Sequence, residues 1–195
     1  GENLYGQGEG QSMNFTIRKA AGKDLENILS IYEKARQFQK EHGNPSQWEG
    51  GYPQPEIVQK DLEAGELYAV CRQTPAGEEL AGVFMFARRP EPNYDRIREG
   101  AWLEEGPYAV LHRVASAGTC SGVGQACMDW AWEQCRNLRI DTHRDNYVMQ
   151  RLLEKNEFVR CGLIDLREGG ERIAYQKCRT APETLQKNME KPRQE

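Results

Sequence analysis

No stretch of this 195-residue chain approaches the ~18 consecutive apolar residues that a membrane-spanning helix requires, and no basic, apolar leader precedes Met13. A soluble, cytoplasmic protein without a membrane partner is therefore expected. Missing too is any CxxC pair. The six cysteines, at 71, 120, 127, 135, 161 and 178, stand singly, mostly in predicted strands or on a helix, and read as reduced, buried thiols. Histidine is scarce: His42, His112 and His143 lie far from any close cysteine pair, so no metal site is expected. Charge of one sign is not concentrated either. Net charge is −4 and the basic residues are interspersed with acidic ones, which disfavours nucleic acid as a partner.

What is present suits one domain over 13–178. The first dozen residues, GENLYGQGEGQS, read as the remnant of an expression-tag cleavage linker, and 179–195 as a polar, frayed tail. A short strand is expected over 14–19. Leu25, Ile28, Leu29 and Tyr32 at helical spacing predict a helix over 24–40. A Pro- and Gly-rich loop then carries Trp48 and Tyr52, which either touch substrate or plug the first helix onto the core. A short helix over 56–64 precedes a hairpin built from LYAVCR and LAGVFMFA, with Pro75 and Gly77 at its tip. YAVLHRV, at 108–114, has the apolar character of a strand buried on both faces. A helix over 124–138, a strand RIDTH, a helix over 146–155 and two further strands complete the order. Such a pattern predicts an α/β fold: a mixed, mostly antiparallel sheet of about seven strands flanked by about four helices.

The segment HRVASAGTCSGVGQAC carries the most chemistry. A strand ends in small residues and opens directly into an amphipathic helix. Gly118, Gly122 and Gly124 allow a tight bend, and the first N–H groups of the helix lack carbonyl partners, so main chain alone can form an anion site; on the glycines alone, a tight strand-to-helix turn without a ligand is the alternative. Two other phosphate loops are excluded. Gly124 is followed by Gln125 and Ala126, without the Lys of a mononucleotide loop, and no third glycine completes a dinucleotide fingerprint.

TCSGVG, from Thr119 to Gly124, followed by DNYVMQRLLEKNEF, resembles the GCN5-related N-acetyltransferase (GNAT) family, in which that turn runs Gln or Arg, two variable positions, Gly, one variable position, then Gly or Ala. The resemblance extends from about Asn14 to Lys177. Within it Thr119 replaces the usual long polar residue, Glu157 stands where Gly is usual, and Leu153 occupies the place of a Tyr that many relatives use to protonate the leaving thiolate. The resemblance implies that the strands containing His112 and Asp141 splay apart and admit the pantetheine arm of acetyl-CoA along His112, Arg113 and Val114. It places the pyrophosphate on the N–H groups of Ser121, Gly122, Val123, Gly124 and Gln125, beside Thr119. Asn146 either bonds the pantetheine chain or simply caps its helix.

The implied reaction moves an acetyl group from acetyl-CoA to a primary amine by direct attack in a ternary complex. A main-chain N–H near Arg113 or Val114 would stabilise the oxyanion. A base must take the amine proton; Glu104, Glu105, His112, Asp141 and His143 are the candidates, with His112 and Glu105 preferred and His143 next. Trp48, Tyr52, Trp102 and Tyr108 could frame the acceptor pocket or pack the core. Expected partners are a small-molecule or peptide amine and, where a second subunit completes the cleft, a homodimer. The alternatives are a non-catalytic acyl-CoA-binding module, suggested by the departures at Thr119, Leu153 and Glu157, and a structural α/β interaction protein.

Overall fold

A computed structural model describes residues 14–179; the expected linker remnant at 1–12 and, apart from Arg179, the expected tail at 179–195 lie outside them. The chain runs β1 (Thr16–Lys19), α1 (Leu25–Glu41), α2 (Pro55–Glu63), β2 (Leu67–Thr74), β3 (Gly77–Ala87), β4 (Ala109–Ser116), α3 (Val123–Gln134), β5 (Asn137–Thr142), α4 (Tyr147–Lys155), β6 (Val159–Asp165) and β7 (Glu171–Cys178). Its seven strands form one sheet in the order β1-β2-β3-β4-β5-β7-β6. All neighbours are antiparallel except β4 and β5. Element order and sheet type match the expectation. All six cysteines are free thiols. No helix among the described residues is long and apolar enough to cross a membrane.

Two apolar layers fix the sheet. Phe84, Phe86, Leu111, Leu138 and Ile140 pack under α3 and α4 on one face, while Val58, Leu67, Val83, Ile28 and Tyr32 join α1 and α2 on the other. β4 is buried on both faces: Ala109 and Leu111 join the layer under α3 and α4, while Val110 packs in a third cluster with Met85, Tyr94 and Trp102, and all three are fully buried.

One helix is shorter than its pattern suggests. Cys127 and Ala131 are buried on α3 as helical spacing requires, but the helix stops at Gln134 because Cys135 is extended, at φ −152°. Leu138 instead belongs to β5, whose backbone is recruited by pairing with β7 from Asn137↔Cys178 onward.

At the end of α4, Glu157 adopts φ +65° while its N–H bonds Glu154 O and the Phe158 N–H bonds Leu153 O. A side chain there is strained. Glu157→Gly is expected to raise the unfolding free energy by roughly 0.5–1 kcal/mol, and Glu157→Ala not to raise it, in matched urea titrations.

Candidate active site

The centre of the sheet is open by construction. Parallel pairing of β4 with β5 is confined to Ala109↔Leu138 and Val110↔Arg139, after which the two strands part. On its other side β4 carries a bulge: Val83 faces Ala115 and Met85 faces His112, so two residues of β4 are accommodated opposite one of β3. Arg113 sits in the bulge at φ +53°.

That strained residue is held at both ends. Its carbonyl accepts a hydrogen bond from Tyr32 Oη at 2.8 Å. Burial pushes the Tyr32 phenol up, so it stays a donor. The Arg113 guanidinium is bidentate to Asp61, Nε to Oδ2 and Nη2 to Oδ1 both at 2.8 Å, and Nη1 donates to Tyr52 Oη at 2.9 Å.

A cavity of about 670 Å³ occupies the gap and the face in front of it. Its floor is His112, Arg113 and Val114 from β4 with Ile140, Asp141 and Thr142 from β5; its walls include Trp48, Tyr52, Glu91, Asn146 and Arg172. His112 lies between two carboxylates. Its Nε2 is 3.3 Å from Glu91 Oε2 and its Nδ1 4.0 Å from Asp141 Oδ2. Glu91 is fixed by the Asn93 N–H at 3.2 Å on Oε1, and by its own N–H, which donates to Tyr108 Oη at 2.9 Å. The hydrogen bond with His112 holds the Glu91 carboxyl below the ordinary range. Asp141 accepts from Tyr94 Oη at 2.6 Å, and burial pushes the Tyr94 phenol well up, keeping its proton in place.

Beyond the gap lies the glycine-rich bend before α3. Gly118 and Gly122 take φ of +76° and +89°, which other residues resist. Gly124 serves packing instead: a Cβ there would meet Leu152 Cδ2 of α4 at 2.8 Å. Gly122 caps α3 without a side chain, and the first helical bond runs from the Ala126 N–H to Gly122 O at 3.0 Å. The N–H groups of Val123, Gly124 and Gln125 therefore point off the helix end, with the positive pole of its dipole. On β5, Thr142 Oγ1 is buried without a partner among the described residues. The parted edges of β4 and β5 and the helix N-terminus suit an extended amide-bearing chain ending in a diphosphate.

Several residues expected at the site serve elsewhere. Thr119 stands beside Glu79, whose carboxyl its hydroxyl holds below the ordinary range. The Gln125 side chain bonds Asn156 and Asp129, so only its main chain faces the bend. Asn146 does cap α4, accepting from the Met149 N–H at 3.1 Å, while its amide donates to Gln47 Oε1 at 2.8 Å across the cavity wall.

Of the candidate bases, only His112 and Asp141 line the cavity. Glu105 is turned to solvent, with 87% of its side chain exposed, 3.9 Å from Arg139 at the far end of the sheet. Sequence adjacency to β4 misled here, because the loop enters at the closed end of the strand pair. His143 accepts the Asp145 N–H on Nδ1 at 3.1 Å and braces the turn into α4; burial, with help from Arg172, pushes its imidazole down. Trp102 and Tyr108 are packing residues. They sandwich the Arg139 guanidinium, each ring centroid 4.1 Å away, while Trp48 and Tyr52 do reach the cavity. Leu153 is fully buried in the core.

No family model matches the sequence, and no curated protein matches it. Among solved structures, the chain is similar to an acetyltransferase of the GNAT family from Streptococcus agalactiae 2603, with 30% identity over 91% of this chain and 99% of that one and a TM-score of 0.75. A GNAT-family acetyltransferase from Listeria monocytogenes 4b F2365 has 22% identity, covering 84% of this chain and 94% of its own, with a TM-score of 0.61. A ribosomal-protein-alanine N-acetyltransferase from Brucella melitensis shares the fold at 17% identity, 84% and 99% coverage and a TM-score of 0.57.

Proposed function

The chain belongs to the GCN5-related N-acetyltransferase family, and from that premise we propose that it moves the acetyl group of acetyl-CoA to a primary amine by direct attack in a ternary complex, with His112 as general base. One observation carries the proposal: β4 and β5 part after Val110 and Arg139, and the gap leads to an imidazole between two carboxylates.

The main chain of His112 to Val114 would hold the pantetheine arm, and the N–H groups of Ser121 to Gln125 the pyrophosphate. Acetyl-CoA supplies the thioester carbonyl that the amine attacks. An amine with a Lys-like pKa of ~10.4 is almost wholly protonated at neutral pH, so it must first lose a proton. His112 accepts it, and Glu91 and Asp141 compensate the imidazolium charge. A main-chain N–H of Arg113 or Val114, in the bulge that Tyr32 and Asp61 hold, would stabilise the oxygen where negative charge develops. With Leu153 in the core, no tyrosine serves as acid at that position; a thiol of pKa ~8.5 leaves with help from water.

Calorimetry with acetyl-CoA, followed by free-thiol release across a panel of amines, tests the proposal. Saturable binding and thiol release that depends on amine are expected. Binding without amine-dependent release would instead support an acyl-CoA-binding module, the reading that the buried Leu153 favours.

A further inference from the structure

The cavity has a second pole, and it is cationic. Asp141 on β5 faces Ala174 on β7, so Arg172, two residues from Ala174, lies on the same face as the diagonal neighbour of Asp141. Such neighbours are separated by about 7–8 Å. Four arginines line the cavity, and they are not equivalent. Arg89 is bound by Glu66 and Arg113 by Asp61. Arg167 is exposed. Arg172 is half-buried and attracted by the Asp141 carboxylate, but the hydrogen bonds of its guanidinium among the described residues go to main-chain carbonyls: Nη1 donates to Glu171 O at 2.9 Å and Nη2 to Gln47 O at a long 3.4 Å.

A guanidinium has five N–H donors in a rigid fork matched to a carboxylate, and a partly desolvated one normally finds an anion. Here two donors are occupied, one of them weakly. Beside this guanidinium, Glu91 and Asp141 stand around His112, the arrangement that attracts an ammonium group. Both poles open into the same volume.

We propose that the acceptor is a zwitterion, a free amino acid or a close analogue, whose carboxylate binds Arg172 while its amine is directed at the Glu91–His112–Asp141 cluster. The assignment rests on the transferase reading above and narrows it. A peptide N-terminus does not meet the requirement, because its neighbouring carboxyl is an amide and offers no charge to the guanidinium. The apolar walls from Trp48, Tyr52, Ile57 and Leu166 are left for the acceptor's side chain.

The test is acetyl-CoA-dependent thiol release with free amino acids, each measured beside its C-terminal amide and its decarboxylated amine. For the best acceptor, kcat/KM with the acid is expected to exceed that with either uncharged counterpart by roughly 10–100-fold, the range for a charge-assisted bidentate contact. In Arg172→Gln this ratio falls toward one, and Arg172→Lys keeps part of it. Equal turnover of acid, amide and decarboxylated amine by the wild-type chain overturns the assignment while leaving the transferase intact. An undiminished ratio in Arg172→Gln also overturns it. Absence of thiol release with every amine overturns both readings.

Discussion

Substituting His112 with Gln is expected to lower kcat for amine acetylation by about 10²–10⁴-fold, with the Kd for acetyl-CoA little changed. The expectation follows from where the ring stands. Its two nitrogens face Glu91 and Asp141, so Gln at this position retains size and polarity but loses the ability to take a proton. The strand should survive the change, because His112 contributes no main-chain bond that Gln cannot make. Two readouts separate a base from a bracing residue. In the variant the pH dependence of kcat/KM should follow the ionisation of the acceptor amine alone, and an acceptor amine that is already neutral at the assay pH recovers part of the lost rate. Activity within about threefold of wild type would remove His112 from the mechanism and leave proton transfer to solvent or Asp141.

Much of this site is legible along the chain, and the illegible part has a common cause. The alternation of Val110 and His112 on one face and Ala109 and Leu111 on the other marks β4 as a central strand, and the glycines after it mark the bend. Both are local patterns, governed by strand period and by backbone freedom. Glu91, Asp61 and Arg172 belong to segments far from β4 in sequence, and only the folded chain brings them to His112, Arg113 and the cavity. Pro90 and Pro92 on either side of Glu91 hint at a fixed turn, yet nothing in them says which histidine the turn faces. Glu105 shows the converse error, since closeness in sequence to β4 places it at the closed end of the strand pair. Trp102 and Tyr108 are aromatic residues in a polar stretch, equally consistent with a pocket wall or a cation sandwich until Arg139 is located between them. At Glu157, by contrast, the resemblance marks a position where Gly is usual, and the residue there takes the left-handed conformation at φ +65°.

Asp61→Ala is expected to cost about 3–5 kcal/mol of unfolding free energy, the largest loss of stability among the changes considered. The aspartate and its partner are both nearly inaccessible, with side-chain exposures of 8% for Asp61 and 13% for Arg113. Removing the carboxylate strands a guanidinium that retains only the Tyr52 hydroxyl, and the desolvation of that cation is no longer offset. A shift of the urea midpoint at constant slope reports it directly. The double variant Asp61→Leu with Arg113→Met separates two roles of the pair. Replacing both charges with apolar groups removes the stranded cation, so most of the stability should return. Turnover should not return, because the side chain that anchors the φ +53° bulge from the α2 side is gone and only the Tyr32 contact to its carbonyl remains. Recovery of both properties would reduce the ion pair to packing. Recovery of stability alone would make Asp61 a positioning residue, acting on the reaction through the strained backbone of Arg113.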